Sequence, residues 1–174
     1  MKSESPVLSA SLLKLRAPRV TDLPPLYALA EDHKHKFLDD YHDFDLEYAK
    51  RILNNPHTLI IDDHDYAVGV FWFDDTVDDL HSTIHMLIRP EYFRKFLKQG
   101  LGAEVINTAF ESLGVLRLYG FPMSTQGSAI KILKKHHFYS HIPWRSHTKQ
   151  QGKRVDTIFL ELKRSTWEKK NGLR

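Results

Sequence analysis

The sequence predicts an α/β fold, a mixed sheet with helices on its faces. Three observations carry this expectation. Stretches of strand alternation and of helical spacing follow one another in the order β-α-α-β-β-β-α-β-α-β-β. An apolar strand over residues 81–89 runs into a basic segment with two glycines, Gly100 and Gly102, that opens a helix. The 174 residues, 41% hydrophobic and 27% charged, suit a single domain with one substantial core.

Ser11 to Arg16 alternates as a strand. Thr21 and Asp22 then precede Leu23 to Ala30, a capped helix start with proline in its first turn. A second helix runs from Asp45 to Leu53 and is stopped by Asn54, Asn55 and Pro56. Thr58 to Ile61 and Tyr66 to Phe73 form a hairpin with acidic residues at its turn. The strand from His81 to Arg89, the glycine loop and a helix over 102–113 come next. Leu116 to Phe121 is a strand and Gln126 to His136 a helix. Two last strands, 138–147 and 155–162, are joined by a polar turn at 149–153. A single domain is expected over 1–174, with a short flexible N-terminus over 1–9 and a basic, frayed C-terminal tail over 165–174.

Composition narrows the chemistry. There is no cysteine, which excludes disulfides, thiolate nucleophiles and cysteine-based zinc sites. No apolar run reaches membrane-span length, and the first residues lack the apolar core of a signal peptide, so a cytoplasmic location is the default expectation. The formal charge of +3, with a pI near 9.0, permits an anionic ligand without demanding nucleic acid. Asp32, His33 and His35, like His136, His137 and His141, lack the spacing of a metal motif, and no metal is expected.

The glycine segment is the most informative part of the chain. Glycines at i and i+2 permit a tight turn whose amides converge on one point. The first turn of the following helix adds unpaired donors and the positive end of its dipole. Such an arrangement attracts a phosphate group, and Lys95 and Lys98 add charge beside it.

Four segments in this order resemble the GNAT acyltransferase superfamily, and most closely the branch that acetylates ribosomal-protein N-termini and related small amines. They are Leu13 to Asp22, Met86 to Tyr92, Gln126 to Phe138, and Asp156 to Leu162 with Trp167. The resemblance implies a mostly antiparallel central sheet with a splayed strand pair at the cofactor cleft. It also implies an acetyl-coenzyme A donor and a primary amine acceptor, with a homodimer compatible with the family. The donor's pyrophosphate would sit on the amides of Lys98, Gln99, Gly100, Leu101, Gly102 and Ala103, aided by Lys95. Its pantetheine would pair with the strand at Leu87 and Ile88 and pass the helix opening at Gln126 and Ala129. The chain departs from the family where Leu97 replaces the usual Arg or Gln, Gln126 the Asn, His137 the Gly and Leu133 the Tyr.

Acyl transfer to an amine needs a base near neutrality and a proton for the leaving thiolate. Where family members place a Glu on the fourth strand, this chain has Ser82 and Thr83, which leaves His81 and His85 as candidate bases. They lie four residues apart on one strand, so both rings are expected on one face. Tyr119 and Tyr139 are the candidate acids. In the family the connection between the first two helices lines the acceptor pocket, which makes Asp39, Asp40 and Tyr41 candidate amine-binding residues. Two rival readings stand beside this one: a coenzyme-binding module without turnover, and an acyltransferase acting on an amino group of modified nucleic acid.

Overall fold

The computed structural model describes residues 12–37, 39–40 and 43–173. Strand β1 (Lys14–Arg16) leads through one 3-10 turn into α1 (Leu23–Phe37), then α2 (Leu46–Asn54). Strands β2 (Leu59–Asp63), β3 (Tyr66–Val77) and β4 (His81–Ile88) form an antiparallel meander. Helices α3 (Pro90–Gln99) and α4 (Leu101–Leu113) precede β5 (Arg117–Gly120) and α5 (Gly127–Lys135). The last elements are β6 (Tyr139–Ser140), β7 (Trp144–Gln150), β8 (Lys153–Thr157), β9 (Leu160–Lys163) and α6 (Arg164–Lys170).

Seven strands make the main sheet in the order β1-β2-β3-β4-β5-β9-β6, and β7 and β8 pair separately. Among the described residues only β4 and β5 run parallel. The period-2 pattern sends alternate residues to two cores. One face packs Phe71, Phe73, Ile84 and Ile88 against Phe96 of α3, Val105 and Ile106 of α4, Ile132 of α5 and Trp167 of α6. The other packs Val70, Trp72 and Leu87 against Leu26 and Leu29 of α1 and Ile52 of α2. A bulge at Val68 resets the alternation between them, and Arg89 N–H donates to the Val68 carbonyl at 2.9 Å.

The acidic β2–β3 turn forms as expected: His64 and Asp65 both take positive φ (52° and 64°), which matches the right-handed twist of the strands it joins. Asp62 accepts from the Asp65 amide at 3.1 Å. Beneath it lies a buried ion network. Arg16 donates to both oxygens of Asp22 at 2.7 Å and to Asp62 at 2.7 Å, and the Arg19 amide donates to Asp22 at 2.7 Å.

Four expectations are corrected. The segment from Pro90 to Gln99 is a helix rather than a basic glycine loop, because Pro90 occupies its first turn and Phe93, Phe96 and Leu97 share one side. Phe96 is fully buried, its ring 5.5 Å from that of Phe71. The long strand expected over 138–147 breaks at Pro143, whose missing N–H cannot continue a ladder, and β7 leaves the main sheet. The strand over 155–162 divides into β8, which pairs with β7, and β9, which pairs with β5 and β6 in the main sheet. The tail packs: Trp167 is 3% exposed and donates its indole N–H to Asn107 at 2.6 Å. Residues 1–9 lie outside the described residues, as does Tyr41. Among the described residues no helix is long and apolar enough to cross a membrane.

Candidate active site

Strands β4 and β5 pair only at His81–Arg117, Ser82–Leu118 and Thr83–Tyr119. Beyond that point β4 continues to Ile88, still bonded to β3, while β5 ends at Gly120. The gap opens toward the C-terminal ends of the parallel pair, the usual place for a ligand in an α/β sheet. Arg89 turns its amide toward β3. Backbone groups alternate sides along a strand, so those of Met86 and Ile88 face the gap and those of Leu87 face β3. The Leu87 side chain is 4% exposed among α1 and α2, which takes this residue out of the cleft.

Two cavities occupy the gap. A small one, about 170 Å³, lies among Ile84, His85, Gly102, Phe121, Leu133 and His136. A wider one, about 610 Å³, lies between Ile88, Phe93, Ser128, Gln150 and Lys153. They share Met86, Gln126 and Ala129, so they form one channel along β4. Helix α5 opens on it. The first bond into that helix is Ile130 N–H to the Gln126 carbonyl, which leaves the amides of Gly127, Ser128 and Ala129 without acceptors inside the helix. Gln126 turns its own oxygen back to the Met123 amide at 2.9 Å and shapes this opening.

The expected phosphate cradle at α4 has a different form. Gly100 alone takes the left-handed conformation (φ 72°, ψ 13°) and joins α3 to α4 as a hinge. Ala103 donates to the Gly100 carbonyl, Leu101 is 8% exposed in the core, and Gln99 accepts the Leu13 amide at 2.9 Å. Lys95 reaches Asp63 at 3.4 Å. Lys98 lies in the last turn of α3. Gly102 faces His136, so closely that a Cβ there would stand 2.3 Å from Nε2. His136 is 9% exposed, and burial with neighbouring Lys135 and His137 pushes its imidazole below the ordinary value, toward the neutral form. Gly102→Ala is therefore expected to force His136 aside and lower stability by about 1–3 kcal/mol, the range for overpacking a filled site. Gly127→Ala, with open space around it, serves as the control in denaturant titrations.

His85 lines the smaller cavity, and its ring lies on the α2 side of the sheet with Trp72 and Leu87. Its ring stacks on Trp72, 5.0 Å between centroids and 11° apart. Trp72 donates its indole N–H to Asp74 at 3.0 Å, and the same carboxylate oxygen is 3.7 Å from His85 Nε2. About a third of the His85 side chain is exposed, yet Nε2 itself is covered and has no hydrogen-bond partner among the described residues. Burial pushes the imidazole below its ordinary 6.5, partly offset by Asp74 and Asp75. On that side of the sheet lies a third cavity of about 1280 Å³ between α2 and the β3–β4 hairpin. Four carboxylates line that cavity, from Glu47, Asp74, Asp75 and Asp78, against two cations, Lys50 and Arg51. His85 is the residue shared by the channel and this acidic cavity.

The other candidates fall elsewhere. His81 shares the face of His85, as alternation requires, but sits where β4 and β5 are still paired and leans on Tyr119 at 5.1 Å. Tyr119 lies at the last paired position, next to the opening. Tyr139 is three strands from β4 and donates its hydroxyl to Glu161, which also takes His141 Nε2 at 2.8 Å. Burial and that bond push the Tyr139 phenol up to about 12. Asp39 and Asp40 fasten the β7–β8 hairpin: Thr148 donates to Asp39 at 2.6 Å, and the amides of Gln151 and Gly152 donate to Asp40 at 2.8 Å each. Both carboxylates are thus engaged by groups of that hairpin. Trp72 and Asp74 went unrecognised in the sequence, though strand parity with His85 across the meander was the available signal. Among the described residues no group of three or more His, Asp or Glu is placed to hold a metal.

No protein-family model matches this chain, and no curated protein does. Solved structures do. A ribosomal-protein-alanine N-acetyltransferase from Brucella melitensis superposes with a TM-score of 0.73 at 18% identity, covering 87% of this chain and 99% of that one. Mutant forms of the spermidine/spermine N-acetyltransferase SpeG from Vibrio cholerae give 0.75 at 13% identity, covering 91% and 98%. YncA of Salmonella typhimurium, a putative acetyltransferase solved with acetyl-CoA, gives 0.72 at 16%, covering 88% and 94%. An acetyltransferase of the GNAT family from Bacillus anthracis gives 0.70 at 13%, covering 89% and 96%. With its parallel β4–β5 pair splayed between two helical layers, the chain has the GNAT acetyltransferase fold.

Proposed function

We propose that the chain transfers an acetyl group from acetyl-CoA to a primary amine. The observation that carries this reading is the position of His85, with a donor-sized channel on one side and an acidic cavity on the other. The channel suits the donor's arm: Met86 and Ile88 offer unpaired backbone groups to its amides, and the α5 amides with Lys153 offer positive charge to its phosphates. At α4, His136 covers the first turn, and the fit there is poorer. The acidic cavity draws a cationic amine toward His85.

A bound thioester supplies the activated acetyl carbon. The amine nitrogen forms the new C–N bond, the C–S bond breaks, and its electron pair leaves with sulfur. His85 takes the proton that the amine sheds, and a backbone N–H of the gap steadies the carbonyl oxygen as charge builds. Tyr119, beside the opening, is the phenol placed to return a proton to the thiolate. The distance of Tyr139 from β4 and its bond to Glu161 favour Tyr119 over it in this role.

The test is calorimetric titration with coenzyme A, followed by thiol release from acetyl-CoA across an amine panel. Spermidine and a peptide with an N-terminal alanine are the first members, after the proteins that share the fold. Binding with thiol release from an amine is the expected result. Absence of binding overturns the proposal. Binding without turnover selects the second reading, a coenzyme-binding module, which the lack of a carboxylate in the middle of β4 favours.

A further inference from the structure

We infer that Asp74 is a positioning residue that fixes the tautomer of His85 and steadies its protonated form, and that the Trp72 indole holds Asp74 in place. This rests on His85 acting as the base of the proposed transfer.

Three contacts define the unit. The Trp72 indole N–H is bonded to Asp74 at 3.0 Å, the Trp72 ring is stacked under His85 at 5.0 Å, and the bonded carboxylate oxygen stands 3.7 Å from Nε2. Residues 72 and 74 share one face of β3 by strand parity, and the register places His85 opposite Trp72 and Thr83 opposite Asp74. Asp74 is thus diagonal to His85 across the ladder, within reach of its ring. At 3.7 Å the pair is too long for a hydrogen bond, and among the described residues Nε2 has no other partner. An N–H on Nε2 is the only form of the neutral ring that attracts that carboxylate. This leaves the lone pair on Nδ1 to receive a proton.

When the amine attacks, its proton moves to Nδ1. The C–N bond forms, the C–S bond breaks and the thiolate departs. Nε2 keeps its own proton, and the resulting imidazolium faces an ionised Asp74. The carboxylate gives up and takes up nothing; it lowers the energy of the charged ring. Other ionisable groups line the same cavity, His57 after α2 among them. On β3 and its bulge these are Asp75 as well as Asp74, and on the hairpin beyond it is Asp78. From α2 they are Glu47, Lys50, Tyr48 and Arg51, the guanidinium of Arg51 lying 4.7 Å over the Tyr48 ring. Of these, Asp74 and Asp75 favour the protonated ring, Asp74 more strongly. Asp74 alone is held by a hydrogen bond to the ring stacked on His85.

The experiment is an NMR titration of the His85 ring nitrogens in the full chain, beside pH profiles of kcat/KM. Variants are Asp74→Asn, Asp75→Asn and Trp72→Phe, each checked for an unchanged thermal midpoint. Asp74→Asn is expected to move the ring's midpoint to lower pH and the acidic limb of kcat/KM with it. It should also cut kcat about tenfold or more at unchanged KM for acetyl-CoA. Trp72→Phe keeps the stack but loses the bond to Asp74, and should shift both readouts the same way by less. Asp75→Asn, lacking the direct approach to Nε2, should shift them least. In a His85→Ala background Asp74→Asn should cost nothing further. An unmoved ring midpoint in both Asp74→Asn and Trp72→Phe overturns the inference, as does an equal loss in the His85→Ala background. A moved midpoint in a chain that acetylates no amine would instead retire the enzymatic reading, so the two failures are distinguishable.

Discussion

Replacing His85 with alanine is expected to cut kcat/KM for the amine by about 10²- to 10⁴-fold, the range for a positioned general base. Affinity for coenzyme A should stay unchanged, because the gap offers the donor main-chain groups of Met86 and Ile88 that the variant keeps. Burial lowers the His85 imidazole below 6.5, so above that point the ring is neutral and competent. Turnover should therefore fall as pH drops through the ring's midpoint, with the acidic limb below pH 6.5. His85→Gln, which does not titrate, should lose that limb. His81→Ala makes the comparison specific: its ring leans on Tyr119 where the strands are still paired, and less than tenfold is expected. A drop under tenfold in His85→Ala, or comparable losses in both histidines, would remove the base from this position.

The alternation of apolar and polar residues located most of the main sheet, because each strand with a buried face must repeat every second residue. The same logic recovered α2, α4 and α5. It misread the glycine segment, since glycines at i and i+2 look alike whether they open a loop or hinge two helices. What separates the cases is the spacing of Phe93, Phe96 and Leu97 behind Pro90, which buries a helix side against Phe71. The acidic residues between α1 and α2 were open to an acceptor role in the sequence because their partners are far away in it. Thr148 lies 109 positions from Asp39, and no local pattern announces that contact. Trp72 and Asp74 are the intermediate case. Parity puts the two on one face of β3 and the cross-strand register sets His85 opposite Trp72, but nothing local announces the bond between the indole and the carboxylate. Gly102 belongs to a third kind, since its need to be glycine depends on a histidine brought over by α5.

Arg16→Ala is expected to cost about 3–5 kcal/mol, the loss typical of removing one partner from a buried ion network. Asp22 is 2% exposed and Asp62 7%, so the variant leaves two covered carboxylates side by side without the cation that both share. For a chain of this length such a loss lowers the thermal midpoint by roughly 10 °C. Arg16→Lys should fall between, since a single ammonium cannot repeat the forked bonds to Asp22 and the third bond to Asp62. The effect should also depend on pH, with a definite sign. In the intact protein burial works to raise the Asp22 carboxyl, but the bonds from Arg16 and the Arg19 amide outweigh it and hold it below the ordinary range. A depressed folded-state value means that the stabilisation is fully present above the unfolded value, about 3.9, and is lost as pH falls through the folded one. Without Arg16 burial favours the protonated form of Asp22, so acid relieves the variant while it weakens the parent. The gap between the two should therefore be widest near neutrality and narrow below about pH 4. Urea titrations of both proteins at pH 7 and pH 3.5 measure it. A constant gap across that interval would mean that Arg16 acts through packing alone, and a gap under 1 kcal/mol at pH 7 would mean that β1 is held to β2 by its three-residue ladder without the ions.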